Sequence, residues 1–313
     1  MISLKNIKLD DVSASDISNE YVYYQSSADE HKFQMAEDEE FYLGLQLTRA
    51  QKDYLVSVGQ PPEANNKIRP AVEQVLSNVA GASPEWDVRP TGKTDSEVAF
   101  VYNKLLDKIW YESDGDRHFR TIVKDYTIKG LGYMYVYPDW QAEQGRGGIK
   151  VKRVAPENMY VDPNSTDPFF RDAASIMLSD TSTKESMKVM FPEHANEIED
   201  AHEDYRDDDY ATSKYNRDDI IRRSDVNDDG QPKVRRFIRW SKVSEEQILL
   251  TDKLTKRQKS FNKEQYDEFK STKRYKAYIQ NNQVEEEKIF ITRVRESFVI
   301  GDALIYDIVL PLE

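Results

Sequence analysis

The chain has 313 residues, enough for about two domains at roughly 150 residues each, and carries a net charge of −13. Apolar residues make up 38% and charged residues 32%, low for a compact globule, yet 19 Tyr, 12 Phe and 4 Trp can build a core and exclude global disorder. The absence of cysteine excludes disulfides and thiolate metal sites, and the acidic balance argues against a protein that grips DNA through a basic face.

No apolar run approaches the ~20 residues that span a bilayer, and the opening MISLKNIKLDDVSASD shows no export signal. Residues 1–25 are expected to form a flexible arm. Ser27 with Glu30 has capping-box spacing, and so does Thr48 with Gln51, so helices are expected after each. Gly59 and Pro61-Pro62 end the second. Ile68, Val72, Val75, Leu76 and Val79 recur at three- and four-residue intervals, an amphipathic helix for which Gly81 is a candidate cap. Thr94 with Glu97 opens another, with Val98, Val101, Leu105 and Ile109 on one face. Phe119, Ile122, Val123 and Tyr126 mark one more, ended by Gly130-Leu131-Gly132.

Strand character follows. YMYVYPDW and IKVKRV read as a hairpin joined by a Gly-rich loop, Tyr160 to Asn164 as a turn, and Ala173 to Leu178 as a short strand. Ser182 with Glu185 opens a helix that Pro192 interrupts. Residues 193–210 hold nine acids against one Arg, and 193–232 is expected to be an acidic mobile linker. Val234 to Trp240 alternate as a strand, Asn262 and Gln265 cap a basic helix, and further strands close the chain. Helices first and strands after favour an α+β fold, a helical N-terminal half packed with antiparallel strands and hairpins.

Motif tests find no catalytic centre. Gly145 to Lys150 (GRGGIK) lacks the Ser or Thr of a phosphate-binding loop and runs into a strand. Asp225 to Gly230 matches the first six positions of a calcium loop, but its twelfth position is Arg236, where a carboxylate is needed. His31, His118, His194 and His202 show no zinc spacing, and no GxSxG elbow occurs. No cofactor and no metal are expected. The one candidate patch for DNA or a partner is Lys253, Lys256, Arg257, Lys259, Lys263, Lys270, Lys273, Arg274 and Lys276. Its plainer reading is a solvated helix, with Phe261, Tyr266, Phe269, Tyr275 and Tyr278 packing underneath rather than stacking on bases.

Six pieces in order carry a resemblance. They are Phe41 to Thr48 (FYLGLQLT), Gly59-Gln60-Pro61-Pro62 leading to Asn66-Lys67-Ile68, Arg89-Pro90, Thr94 to Ala99, Gly130-Leu131-Gly132-Tyr133, and Pro156 to Pro163 (PENMYVDP). Together they resemble the N-terminal wing of tailed-phage portal proteins of the podophage type, although Leu47 stands where that family usually has Trp. The similarity is close over about 25–195 and looser over 233–313. It implies a wing with a helical part and hairpin over 26–192, and a β-rich continuation with a basic helical insertion over 233–313. The stem, clip and crown of the family are expected to lie outside this stretch, and these residues alone are expected to be mainly monomeric.

The resemblance further implies a homo-oligomeric, dodecameric ring at one capsid vertex of the virion, assembled in the host cytoplasm. Double-stranded DNA passes through its channel without sequence-specific contact. Its partners are the terminase, the major capsid protein and a head-tail adaptor; no membrane and no enzymatic activity are expected. Two other classes fit the sequence: a different virion or scaffold interaction protein, and a non-catalytic part of a nucleic-acid-processing enzyme.

Overall fold

The structure, a computed structural model, describes residues 12–81, 83–90, 95–139, 142–202, 232–253, 258–271, 275 and 284–310. Helix α1 spans Ala14–Leu43 and begins well before the expected start. Ser13 Oγ accepts from the Asp16 amide while Asp16 Oδ2 accepts from the Ser13 amide, a reciprocal capping box. Ser27 is no cap, because its hydroxyl donates to the Tyr23 carbonyl inside the helix. From Ala14 on, the expected flexible arm is therefore helix. It is held because Ile17, Tyr21 and Tyr24, at helical spacing, bury themselves against Tyr160, Met177, Phe237 and Val299.

Gly44 ends α1 with φ +92°, a conformation that a side chain resists. Helix α2 (Arg49–Ser57) starts at the Thr48–Gln51 box, as expected. Helix α3 (Ile68–Val79) is tied to α1 by Asn66, whose Oδ1 accepts from the amides of Ile68 and Arg69 while its Nδ2 donates to the Tyr42 carbonyl at 2.9 Å. The cap residue of α3 is Ala80; Gly81 follows, where a Cβ would lie 2.4 Å from the Ser77 carbonyl oxygen. Helix α4 (Ser96–Glu112) and helix α5 (Gly115–Lys129) meet at a tight corner. There Trp110 Nε1 donates to Asp116 Oδ1 at 2.8 Å, and its ring lies directly over Gly115. Thr94, expected to open α4, lies outside the described residues.

Strands β1 (Tyr133–Asp139) and β2 (Gly148–Val154) form the expected hairpin, paired from Tyr133↔Val154 to Asp139↔Gly148, with a one-turn helix α6 (Ala142–Gly145) at its end. A second sheet is antiparallel throughout. It has the order β3 (Met159–Val161), β4 (Ser175–Thr183), β5 (Lys233–Asp252), β7 (Val284–Ile300), β8 (Ala303–Val309), with β6 (Gln258–Phe261) on the far end of β5. The turn expected at 160–164 thus begins as strand, and Tyr160 is fully buried. The turn proper belongs to Asp162, which accepts from the amides of Asn164 and Ala174. Tyr135 of the hairpin meets Trp240 of the sheet at 5.3 Å between ring centroids.

Helix α7 (Lys184–Met190) is capped by Thr183, one residue later than expected. Helix α8 (Ala195–Asp200) occupies the start of the expected acidic linker. Ile198 and Ala201 anchor it against Met187, Val234, Phe298 and Ile300, so the start of the expected mobile linker is a helix docked on the core. Residues 203–231, including Asp225 to Gly230, lie outside the described residues. Strands β5 and β7 stay in register from Arg236↔Ile300 to Asp252↔Val284, whereas β4 accompanies β5 only as far as Ser241. The 17 residues of β7 span about 55 Å at ~3.3 Å each. A long two-stranded ribbon therefore leaves the sheet. Its far end carries β6, helix α9 (Lys263–Ser271) and a separate core of Leu250, Phe261, Tyr266 and Tyr275.

The α+β organisation matches the expectation, and the Trp110 corner offers a direct test of it. A Cβ on Gly115 would sit 2.2 Å from the Trp110 ring, so Gly115→Ala is expected to cost about 1–3 kcal/mol through overpacking. Urea unfolding measures this, and a loss within error of zero would contradict the packing described.

Candidate interaction surfaces

A short 3-10 turn, Pro156–Asn158, links β2 to β3 and carries Glu157 into a cluster of charges between α1, α5 and the hairpin. Lys129 of α5 pairs with the Glu157 carboxylate and, at 2.8 Å, with Glu39 of α1. Lys32 of α1 donates to the Glu157 carbonyl, and its ammonium lies 3.1 Å from the centre of the Tyr160 ring. Beside them Arg153 of β2 holds Asp125 of α5 through two nitrogens, Nη2 at 2.9 Å. Lys32 and Lys129 are only 2% and 7% exposed. Cations this deep persist only when paired.

Burial pushes the Glu157 carboxyl up, but the adjacent Lys129 ammonium, together with a backbone hydrogen bond and Arg153, outweighs it and leaves the pKa below the ordinary carboxylate value. Burial pulls Lys129 down, and the Glu157 and Glu39 carboxylates reverse that and leave it raised. Each partner thus holds the other in its charged form.

The helices present a different surface outward. Val98, Val101, Tyr102 and Leu105 of α4 recur at helical spacing and are exposed, Val101 to 63%. The face turned inward is instead the one with Ala99 and Trp110, because Trp110 packs against Trp86 and Phe119 at the α4–α5 corner. On α3, Val72 and Leu76 are buried while Val75 and Val79 stay exposed, and α2 buries none of its residues. A shallow hollow of about 380 Å³ on α2 is lined by Leu47, Ala50, Gln51, Tyr54 and Leu55. These stripes leave exposed apolar side chains on α2, α3 and α4.

Of the basic candidates, Lys253, Lys259, Lys263 and Lys270 are exposed. Lys256, Arg257, Lys273, Arg274 and Lys276 lie outside the described residues, as does Tyr278. The aromatics pack as expected: Phe261, Tyr266 and Tyr275 are buried, and Phe269 stacks on Phe261. Tyr266 and Tyr275 both donate to Glu286 of β7; these bonds, chiefly that from Tyr266, with Lys270 nearby, hold the Glu286 carboxyl below its ordinary value. The Glu246 carboxyl is likewise lowered, first by Lys288 and further by Lys263. Lys263 and Lys270 therefore stand among acids of the ribbon, and the Lys259 ammonium lies over the Phe261 ring.

The Gly145 to Lys150 loop leads into β2, where Lys150 donates to the Glu112 carbonyl at 3.0 Å. His194 Nδ1 lies 2.8 Å from Glu197 Oε2, and among the described residues no group of His, Asp and Glu is arranged to hold a metal. Sequence reasoning missed the Glu157 cluster, since Lys32 and Lys129 read as ordinary surface lysines. The signal in the sequence is Pro156-Glu157-Asn158, a turn between two strand-like stretches that carries an acid.

The fold is an α+β body whose helical layer is braced to the sheet at Glu157 and leaves apolar side chains of α2, α3 and α4 exposed. Residues 19–311 match the family described as phage P22-like portal protein, and the chain belongs to that family. No curated protein matches the chain. Membership makes it a structural protein of the phage capsid, with a place at a capsid vertex and in a ring assembly. No described helix is long and apolar enough to cross a membrane.

Replacing Glu157 by Gln leaves the backbone carbonyl that Lys32 uses but removes the carboxylate from Lys129, and should cost about 3 kcal/mol, the low end for breaking a buried pair, because Glu39 still holds Lys129. Since the Glu157 pKa is lowered on folding, its contribution is complete above the unfolded value of ~4.3 and is lost as pH falls through the folded value. Urea unfolding of both proteins between pH 3 and 7 checks this: the gap should close toward pH 3. A gap independent of pH would contradict the charge assignment.

Proposed function

We propose that the protein is the repeating subunit of a portal ring, dodecameric when complete, that forms the channel for DNA packaging and ejection. In this reading residues 26–192 and 233–313 make up the wing. A separate terminase supplies the energy of packaging and docks on the ring with the head-tail adaptor, while the major capsid protein surrounds it. The protein's own work is geometric. It holds a fixed place in a closed ring and lines a path along which DNA slides without being gripped.

The observation that carries this reading is the family match over nearly the whole chain. It is supported by the uncovered apolar faces of α2, α3 and α4, which a ring neighbour or capsid contact would bury. A net charge of −13 is consistent with a conduit that repels more than it holds the phosphate backbone. Assembly takes place in the host cytoplasm.

Negative-stain imaging of the full portal subunit tests the proposal: rings with a central hole, of twelve subunits, are expected. The purified protein should hydrolyse neither ATP nor DNA with magnesium or manganese present. Compact particles without a hole, or turnover abolished by a single substitution, would overturn it.

A further inference from the structure

Strands β5 and β7 lose their neighbours at a single rung, where Lys242 lies opposite Val294. On the β4 side the last bond runs from the Lys242 amide to the Ala174 carbonyl. On the β8 side the last described bond runs from the Leu310 amide to the Val294 carbonyl. Both flanking supports therefore end at the same level. No further strand joins β5 until β6 pairs with Ile248, and among the described residues none joins β7 again. Between these points lie the rungs from Val243↔Arg293 to Gln247↔Ile289, about 16 Å of ribbon at ~3.3 Å per residue. None of their residues belongs to the apolar clusters of the body or of the far end.

We propose that this stretch is a neck on which the far end of the ribbon swings as one body, with the Glu245–Arg293 pair as its pivot. Both ends are packed units. The sheet has its own cores, and the far end has Leu250, Phe261, Tyr266 and Tyr275, with both tyrosines fastened on Glu286. The neck has least to resist twisting, because two strands alone are marginal in water and local stability follows buried apolar contact. Two diagonal cross-strand pairs brace it. Glu246, opposite Phe290, meets Lys288 at 2.6 Å, but this pair is exposed and stiffens little. Glu245, opposite Ile291, meets Arg293 at 2.7 Å and is largely buried. Arg293 grips through Nη1 alone, and its buried Nε has no hydrogen-bond partner. Within the sheet Arg236 holds Asp180 through two nitrogens, which fixes direction as well as distance. A contact through one nitrogen holds distance and leaves rotation free.

The chain contains no cysteine, so pairs of spin labels can be placed on introduced thiols without background. Val22→Cys on α1 serves as the common site, paired with Val136→Cys on β1, Lys259→Cys on β6 or Asp267→Cys on α9, all exposed positions. In double electron–electron resonance on the full chain, the distance distributions to β6 and to α9 should both be at least twofold wider than the one to β1. Glu245→Gln should widen those two by at least half again and leave the β1 distance as it was. Lys288→Gln should change none of the three. Equal widths for all three pairs would overturn the neck. So would widening at Asp267 alone, because the far end would then not move as one body. No response to Glu245→Gln, or a β1 distance that broadens with it, would overturn the pivot.

Discussion

Glu157 stands at the point where three parts of the molecule have to agree. Its turn ends the hairpin and begins the large sheet, its carboxylate is held by Lys129 of α5, and its carbonyl by Lys32 of α1. Without these bonds the N-terminal helices would touch the sheet mainly through α1, where Ile17, Tyr21 and Tyr24 pack on Phe237 and Val299. The apolar contact supplies area, and the charges supply register. An ion pair at this depth contributes little net stability over a well-packed apolar alternative. What the pairs fix is orientation: Lys129 of α5 reaches Glu157 while Asp125 of α5 reaches Arg153 of β2.

That orientation decides which side of the helical layer faces out. With α5 fixed, Trp110 turns inward over Gly115 and the more regular apolar stripe of α4 is left in solvent. Even with an apolar fraction of only 38%, part of the apolar side-chain area stays outside the core on α2, α3 and α4. The ribbon of β5 and β7 follows a similar economy. Two strands alone are marginal in water, and here the far end is fastened by its own small core and by the two tyrosines on Glu286.

Much of this was legible from residue patterns. Thr48 with Gln51, the alternation of the hairpin, and Asn262 with Gln265 all encode local geometry that tertiary packing did not alter. The misses have physical causes. Ser13 caps α1 with Asp16 rather than Glu or Gln, so the box was read fourteen residues too late. Helical periodicity on α4 found the apolar stripe but could not tell a core from an interface, since both demand the same spacing. Ile198 sits within an acidic run, and with Ala201 it suffices to anchor a turn of helix because Met187, Val234, Phe298 and Ile300 pack with them. The Glu157 cluster joins residues 32, 39, 129 and 157, and no local pattern announces a contact over such separations.

The central claim is that the chain folds as a pre-braced unit and meets its neighbours through the outer helix faces. Amide hydrogen exchange, compared between the free chain and the assembled portal, tests it most directly. Amides over 153–161 should be equally protected in both states, while α2 and the outer face of α4 gain protection only on assembly. Protection appearing first at the Glu157 turn, with α2 and α4 unchanged, would contradict the account.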